Sequence, residues 1–293
     1  MPRPLRLHVP GAMYHVTLRG NHRQNIFFAA KDREILSDLM AEVSARFGAR
    51  LHAYCFMSNH IHALIQVANV PLGRLMLCIA GRYARTVQAT LGTTGHLFEK
   101  RYYPVLVDAD EYLLELLRYI HLNPVRAHMV ASPDDYPWSS HHVYLGRRSE
   151  PWVTTDFALS LFHTEREQAI RAYWQFVHQQ VGQPVASPFV ECNLHDRRVL
   201  GNDAFAARML GEAWRPRSRT TLEQIIDQAC ATFGVTTEDL QSSSRSQSLV
   251  RARAWVAHQA VSLRVTSIAA VARHLNRDES SLRHGMKQHF HYP

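Results

Sequence analysis

The sequence ARLHAYCFMSNHIHALIQV, residues 49–67, decides the fold of the first half of the chain. A short turn at Ser58-Asn59 separates two apolar runs, which is typical of a β-hairpin. Side chains two residues apart in a strand lie on the same face. His60 and His62 should therefore project together, from backbone positions about 6.6 Å apart.

Strand and helix patterns alternate around this hairpin up to about residue 146. Asn123-Pro124 should end the last predicted helix, because the residue before a proline disfavours helical backbone angles. The predicted elements are a strand over 13–20, a helix over 31–48, strands over 49–58 and 60–67, a helix over 71–92, an extended segment over 96–107 and a helix over 108–123. This order predicts an α+β fold, a ferredoxin-like antiparallel sheet with helices on one face.

The second half of the chain is predicted to be helical. One helix is expected over 164–182, and RPRSR at 215–219 has the composition of a basic linker. Further helices are expected over 221–234, 248–263, 266–276 and 279–290, and the last two have the spacing of a helix-turn-helix. We therefore expect three parts: a domain over 1–146, a helical connector and basic linker over 147–219, and an all-α helix-turn-helix domain over 220–293.

Charge and composition narrow the functional class. Lysine and arginine number 33 against 25 acidic residues, which gives a net charge of +8. Nearly all the cations are arginines, which bind phosphate as a fork and stack on bases, although a GC-rich genome also favours arginine codons. The four cysteines are widely spaced, and no apolar run is long enough to span a membrane. The N-terminus has no apolar core typical of a signal peptide. These features predict a cytoplasmic, nucleoid-associated protein without a membrane partner.

Two residue pairs are candidates for chemistry. His60 and His62 are placed to converge on one metal ion. Tyr119 and Asn123 lie four apart on a predicted helix and so share a face. A tyrosine nucleophile and an amide-oxygen ligand one turn apart can address the same metal-bound phosphate. The alternatives remain open: with 19 histidines in the chain, an ordinary histidine pair, a core tyrosine and a helix-end asparagine also fit.

In combination, these motifs resemble the HUH tyrosine transposases, in particular the IS200-like branch associated with repetitive extragenic palindromes. The resemblance covers about residues 10–146. The matching segments are YHVTLRGN (14–21), NIFF (25–28), AYCFMSNHIHALI (53–65), GHLFEKRYY (95–103), YLLELLRYIHLNPVRAHMV (112–130) and DYPWSS (135–140).

The resemblance implies a metal-dependent single-strand DNA endonuclease and strand transferase that acts at hairpins. Tyr119 would form a 5′-phosphotyrosine intermediate, while His60, His62 and Asn123 would hold Mg²⁺ or Mn²⁺. Two other functions stay open: a non-catalytic regulator that binds hairpin or duplex DNA, and a metal-dependent hydrolase that uses water. A degenerate copy would often lack a histidine or the tyrosine, and this chain has them all.

Cations and aromatic residues near these motifs suit unpaired bases and their backbone. The alternative is an ordinary solvated basic surface. The candidate contacts to single-stranded DNA are Arg19, Asn21, Arg23, Arg82, Arg85, Lys100 and Arg101.

The C-terminal region resembles, more faintly, the duplex-binding domain of the bacterial replication initiator. The resemblance lies in SSSRSQSLVRARAW (242–255) and DESSLRHG (278–285). It implies phosphate contacts by Arg245, Arg251 and Arg253 and contacts to base edges by Ser280, Ser281, Arg283 and His284. The alternative is a small helical bundle with no role in DNA binding. The expected partners are hairpins of single-stranded DNA and, through this domain, duplex DNA; the protein itself is expected to be a monomer or a homodimer.

Overall fold

The chain forms two structural units. In the computed structural model, residues 8–183, 198–211, 220–263 and 265–290 are described. Contacts between Cα atoms divide the chain into Met1–Trp214 and Arg215–Pro293. The predicted basic linker at 215–219 lies outside the described residues.

A five-stranded sheet forms the centre of the first unit. Its strands are β1 (Met13–Arg19), β2 (Arg50–Phe56), β3 (His60–Gln66), β4 (Tyr103–Val107) and β5 (Val199–Leu200). The spatial order is β2-β3-β1-β4-β5. All neighbours pair antiparallel except β4 and β5, which are parallel. The hairpin predicted around Ser58-Asn59 is the β2–β3 pair.

Helices cover both faces of this sheet. The helices of the first unit are α1 (Ala30–Phe47), α2 (Leu72–Leu91), α3 (Ala109–Arg126), α4 (His141–Tyr144), α5 (Asp156–Ser160), α6 (Arg166–His178) and α7 (Asp203–Leu210). Apolar side chains alternate along β1 between two cores: Tyr14, Val16 and Leu18 share one with α1 and α2, whereas Met13 belongs to the core of α3 and α6.

The predicted α+β class, a ferredoxin-like sheet followed by an all-α region, is confirmed, but two details differ from the sequence expectation. Helices lie on both faces rather than one, because the central strands carry apolar residues on both faces and both must be covered. The sheet also continues beyond the boundary expected at residue 146, since β5 adds to β4 and α6 packs against α3.

Helix α3 does not end at Asn123-Pro124 as expected but continues to Arg126. A proline removes the hydrogen bond that its own nitrogen would donate and crowds the carbonyl one turn earlier, but it leaves the later hydrogen bonds of the helix possible. The backbone N–H of Ala127 still donates to the Asn123 carbonyl at 2.9 Å, and that of Met129 donates to the Pro124 carbonyl at 2.9 Å. Pro124 is itself buried, so packing keeps this turn helical.

A chain of buried polar groups joins α3 to α6 and to the segment before α4. Ser140 Oγ lies 2.7 Å from His121 Nε2, and His121 Nδ1 lies 2.8 Å from Tyr173 Oη. Tyr173 Oη then lies 2.5 Å from His141 Nδ1, and His141 Nε2 lies 2.9 Å from Asp134 Oδ1. With His121 and His141 neutral, every hydrogen-bond donor among these five side chains meets an acceptor.

The second unit is a helical bundle around α10. Its helices are α8 (Leu222–Phe233), α9 (Thr237–Gln241), α10 (Gln247–Ser262), α11 (Ile268–His274) and α12 (Glu279–Phe290). The predicted helix-turn-helix is α11 and α12, and the turn between them contains Asn276 in the left-handed region with φ 53°. Leu249, Val256, Val271 and Met286 are buried in the common core. Over the described ranges, none of the helices in either unit combines the length and apolar character needed to cross a bilayer.

We predict that lowering the pH destabilises the first unit at pH values where its carboxylates are still ionised. Burial lowers the pKa of His141 to about 4, whereas an imidazole in an unfolded chain titrates near pH 6.5. Between these values the unfolded chain binds one more proton, so the free energy of unfolding should fall by about 1.4 kcal/mol per pH unit for each such histidine. Burial alone would raise the pKa of Asp134, but hydrogen bonds from His141 and Arg147 lower it to about 2. The contribution of Asp134 to the free energy of unfolding is therefore lost only at lower pH.

Urea unfolding in EDTA at pH 7, 6 and 5 measures this slope. His141→Gln should reduce the slope by about one proton, a change that a simple loss of packing does not produce. A free energy of unfolding that stays constant between pH 7 and pH 5 would contradict the prediction.

Candidate active site and DNA-contacting surfaces

The pairing of β1 with β3 positions the predicted histidines. Arg19 is paired with His60 and Thr17 with His62. Paired residues of antiparallel strands point to the same face, and here it is the face that α3 covers. Toward one end of this face the side chains are apolar; toward the other they are His15, Thr17 and the two predicted histidines.

Asn59 orients the imidazole of His60. The Asn59 Oδ1 atom lies 2.7 Å from His60 Nδ1, so this ring nitrogen carries the proton and Nε2 presents its lone pair. Asn59 Nδ2 in turn donates to the Arg23 carbonyl at 3.0 Å. A neighbouring acceptor that fixes the tautomer is the usual arrangement around a metal-binding histidine.

His15 occupies the equivalent position beside His62. His15 Nε2 and His62 Nδ1 are 2.9 Å apart, and their rings are stacked with centroids 5.1 Å apart. If His62 Nδ1 donates a hydrogen bond to His15, then His62 Nε2 is unprotonated and its lone pair can bind a metal ion. Sequence analysis missed His15 and Asn59. The period of two in β1 would have indicated His15, but only once β1 was known to pair with β3.

Burial keeps these imidazoles neutral. It lowers the pKa of His60 to about 4, with Arg19 adding to the effect, and it lowers the pKa of His15 to about 3, with His60 adding. The pKa of His62 is also well below its ordinary value, first because of burial and then because of His15 and His60. Neutral imidazole is the form that binds a cation.

Tyr119 reaches the same site from α3. Its ring centroid lies 5.7 Å from that of His62 and 6.3 Å from that of His15, edge to face in both pairs. The Arg126 guanidinium lies 4.8 Å from the centre of the Tyr119 ring. Tyr119, His62 and His15 line one cavity of about 360 Å³, together with Arg19 and Lys100. We call it the catalytic cavity after the role that the sequence predicts for Tyr119.

Asn123 is held within its own helix. Its Nδ2 donates to the Tyr119 carbonyl at 2.8 Å. Among the described residues, no hydrogen-bond donor reaches its Oδ1 atom, which is the atom that an amide offers to a cation. Across the same described ranges, no three His, Cys, Asp or Glu side chains form a metal-binding group. The metal ligands predicted from the sequence are different in kind: two histidines and the amide of Asn123.

Comparisons with known proteins found two similar families. Residues 8–123 match the family model "Transposase IS200 like". Over this range the first unit is similar to IS200-like transposases. Residues 222–288 match the family "Bacterial dnaA protein helix-turn-helix". Both sequence resemblances are thereby confirmed.

The similar solved structures include the following one. It is described as "Structure of the REP associates tyrosine transposase bound to a REP hairpin", with 16% identity and a TM-score of 0.44. The match covers 53% of this chain and 92% of that chain. At this identity and score the likeness adds no argument about function. No curated protein matched this chain.

The cations predicted to contact DNA in the first unit differ in their surroundings. Arg19 and Lys100 line the catalytic cavity. Arg82 forms a bidentate salt bridge with Glu42 of α1, so the charge of Arg82 is partly neutralised. Asn21, Arg23, Arg85 and Arg101 do not line the catalytic cavity, and their contacts to DNA stay predictions.

In the helix-turn-helix unit, the structure corrects the role expected for Arg253. This residue is only 4% exposed. Its guanidinium donates to the backbone carbonyls of Leu240, Ser244, Asp239 and Ser242 at 2.6 to 2.8 Å. Because those donors are occupied and buried, Arg253 holds the loop between α9 and α10 instead of contacting phosphate.

The other predicted contacts of this unit are exposed. Arg245 and Arg251 lie at the surface of the same region as Arg253, and Ser280, Ser281, Arg283 and His284 are exposed on α12. Arg283 also pairs with Glu279 one turn earlier in the helix. Their contacts to DNA stay predictions.

We predict that His15 and Asn59 raise the metal affinity of the site. With His15 as the acceptor for His62, His15→Leu and Asn59→Ala each remove the acceptor that orients an imidazole predicted to bind metal, and loss of such a partner costs about 10- to 100-fold in affinity. Calorimetric titration of the protein with Mn²⁺ measures the effect. His15→Gln keeps an acceptor and should lose less than His15→Leu, and His163→Ala removes an exposed histidine as a control. Equal affinities in wild type, His15→Leu and Asn59→Ala would contradict the prediction.

We predict that substitutions of two arginines of α10 change different properties: one changes stability and the other changes DNA binding. Arg253→Met should leave four backbone carbonyls without their donor and destabilise the second unit by about 3 kcal/mol or more. Arg251→Met should leave stability unchanged and reduce the salt dependence of duplex binding by about one ion. Hydrogen exchange over residues 237–262 of the full chain measures the effect on stability. Duplex titrations at several salt concentrations measure the effect on DNA binding. Equal exchange in both variants would refute the structural role of Arg253.

Proposed function

We propose that this protein is a metal-dependent transposase that cuts and joins single-stranded DNA at hairpins through a 5′-phosphotyrosine at Tyr119. The main support is that Tyr119, His62 and two cations line one cavity. The proposed nucleophile, one proposed metal ligand and two cations would then lie within reach of one phosphodiester.

The residues of this site suit a divalent cation. His60 and His62 would offer Nε2 and Asn123 would offer Oδ1, and the imidazoles are neutral because they are buried. Nitrogen ligands favour Mn²⁺ somewhat more than Mg²⁺. When bound, the cation would offset the charge that develops on the phosphate oxygens.

The chain's own groups account for the transfer step. Tyr119 Oη forms a bond to phosphorus while the bond from phosphorus to the 3′ oxygen breaks. The phenol loses its proton and the departing 3′ oxygen gains one, which leaves a free 3′-hydroxyl. Arg19 and Lys100 would bind the phosphate, and Arg126 over the Tyr119 ring would favour the phenolate as it forms. Reversal of the step by a 3′-hydroxyl joins strands without a nucleotide cofactor.

The second unit would bring this nuclease to duplex DNA. Exposed Arg245 and Arg251 would contact phosphates, and exposed Ser280, Ser281, Arg283 and His284 would face base edges in the major groove. Tethering to a duplex raises the local concentration of the nuclease near an adjacent hairpin. We place this activity on the bacterial chromosome, with a monomer or a homodimer as the active form.

We predict that Tyr119→Phe abolishes covalent attachment to DNA. The substrate is a labelled single strand that carries an inverted repeat from the flanks of the gene, incubated with Mn²⁺ and resolved on a denaturing gel. Wild type should give a protein–DNA adduct, and His60→Ala and His62→Ala should lose both the adduct and the response to Mn²⁺.

The alternative functions give different results in this assay. A DNA-binding regulator would retain the hairpin in a native gel without cutting it. A hydrolase that uses water would cut the strand without an adduct, and Tyr119→Phe would still cut. Tyr103→Phe, which alters another tyrosine of the catalytic cavity, should keep the adduct; an adduct in Tyr119→Phe would refute the assignment.

A further inference from the structure

A turn with an uncommon backbone conformation follows β1. It runs from Gly20 to Gln24, and we call it the β1 turn. His22 and Arg23 both lie in the left-handed region, with φ of 50° and 60°. Among the described residues, they are the only two adjacent residues other than glycine with positive φ. This region disfavours residues with a side chain, and backbone strain of this kind is found most often at functional sites.

Hydrogen bonds fix the β1 turn to the β2–β3 hairpin. Gly20 N–H donates to the Asn59 carbonyl at 2.8 Å, and Ile26 N–H donates to the Ser58 carbonyl at 3.0 Å. The β1 turn is also closed on itself so tightly that a Cβ at Gly20 would lie 2.2 Å from the carbonyl oxygen of Gln24. The glycine of the segment YHVTLRGN is therefore required by the shape of this turn.

The β1 turn reaches the imidazole of His60 through two hydrogen bonds. Asn59 Nδ2 donates to the Arg23 carbonyl at 3.0 Å, and Asn59 Oδ1 lies 2.7 Å from His60 Nδ1. A side-chain amide can satisfy a carbonyl and an imidazole N–H together in only one of its two flipped orientations. The Arg23 carbonyl therefore fixes the orientation of the Asn59 amide, and the amide in turn fixes the proton of His60 on Nδ1.

Arg23 makes this contact with its main chain. Its side chain is exposed and does not line the catalytic cavity. The sequence predicted only a DNA contact for this residue, so the main-chain contact is a different role. The two roles can be separated by substitution, because glycine removes the side chain but adopts the left-handed conformation without a steric penalty.

We propose that Arg23 is a positioning residue of the metal site, whose left-handed main chain holds Asn59 and thereby presents Nε2 of His60 to the cation. When the Arg23 carbonyl moves away, the Asn59 amide is free to rotate and the imidazole can carry its proton on Nε2, the atom that has to bind the metal. This inference rests on the proposed function, because it assumes a cation at His60.

The first measurement needs no metal. In EDTA at pH 7, ¹H–¹⁵N spectra of the full chain with ¹⁵N-histidine show which ring nitrogen of each imidazole carries the proton, and His60→Ala identifies the signals of His60. Wild type should show the proton on Nδ1. Arg23→Val should shift the population toward the form protonated on Nε2, because a β-branched residue is strongly disfavoured in the left-handed region and should displace the carbonyl.

The affinity for Mn²⁺ measures the consequence for the site. By calorimetric titration, Arg23→Val should bind Mn²⁺ about tenfold more weakly than wild type, at the lower end of the range for loss of a partner that orients a metal-binding histidine. Arg23→Gly should retain most of the affinity, since it keeps the turn. Gln24→Val is the matched control, because Gln24 is an exposed neighbour whose φ of −65° and ψ of 159° suit a valine.

A double-mutant cycle tests the route through Asn59. In an Asn59→Ala background, Arg23→Val should have little further effect on the affinity for Mn²⁺, because the contact that transmits its effect is already lost. Gly20→Ala disrupts the β1 turn independently of Arg23, since its methyl group would collide with the Gln24 carbonyl. It should change the His60 tautomer and the Mn²⁺ affinity in the same direction, and it replaces Arg23→Val if that variant does not fold.

Three results would overturn the inference. The first is a wild-type His60 tautomer in folded Arg23→Val or Gly20→Ala. The second is an equal loss of Mn²⁺ affinity in Arg23→Gly and Arg23→Val, which would assign the effect to the side chain. The third is a full effect of Arg23→Val in the Asn59→Ala background. Failure of the proposed function is distinguishable: the His60 tautomer would still depend on the β1 turn, but Tyr119 would form no adduct with DNA.

Discussion

The antiparallel pairing of β1 with β3 is the constraint on which the site depends. This pairing sets His62 opposite Thr17 and His60 opposite Arg19, so the backbone hydrogen bonds of the sheet determine where the imidazoles lie. The same pairing brings His15 within 2.9 Å of His62. A shift of one residue in the register would turn every one of these side chains to the opposite face, where the core with α1 and α2 leaves no room for them.

The position of the tyrosine depends on a second interaction, the packing of α3 on the same face. Leu113, Leu116, Leu117 and Ile120 are buried there, and Tyr119 on the same turn as Ile120 contacts His62 and His15. The buried chain through His121, Tyr173 and His141 ties this turn to α6. Residues after 123 lie beyond the matched transposase segment, yet they hold its proposed nucleophile in place.

Much of this could be predicted from sequence because it is local. Period-two alternation identified the β2–β3 hairpin and the histidine pair, and helical spacing placed Tyr119 and Asn123 on one helix. The contributions of His15 and the burial of Arg253 could not be predicted, because they depend on which strands pair and which helices pack. Arg251 and Arg253 are two apart in one helix and identical in chemistry, but only packing decides which one faces solvent.

The most direct test of the central claim is pulsed electron paramagnetic resonance of Mn²⁺ bound to the protein. Protein with ¹⁵N-histidine and ring-deuterated tyrosine should show couplings from two histidine nitrogens, with one lost in His62→Ala. It should also show deuterium modulation that decreases in Tyr119→Phe. If Mn²⁺ shows no histidine coupling, or if the modulation is the same with and without Tyr119, then the phenol and the imidazoles do not share a metal site.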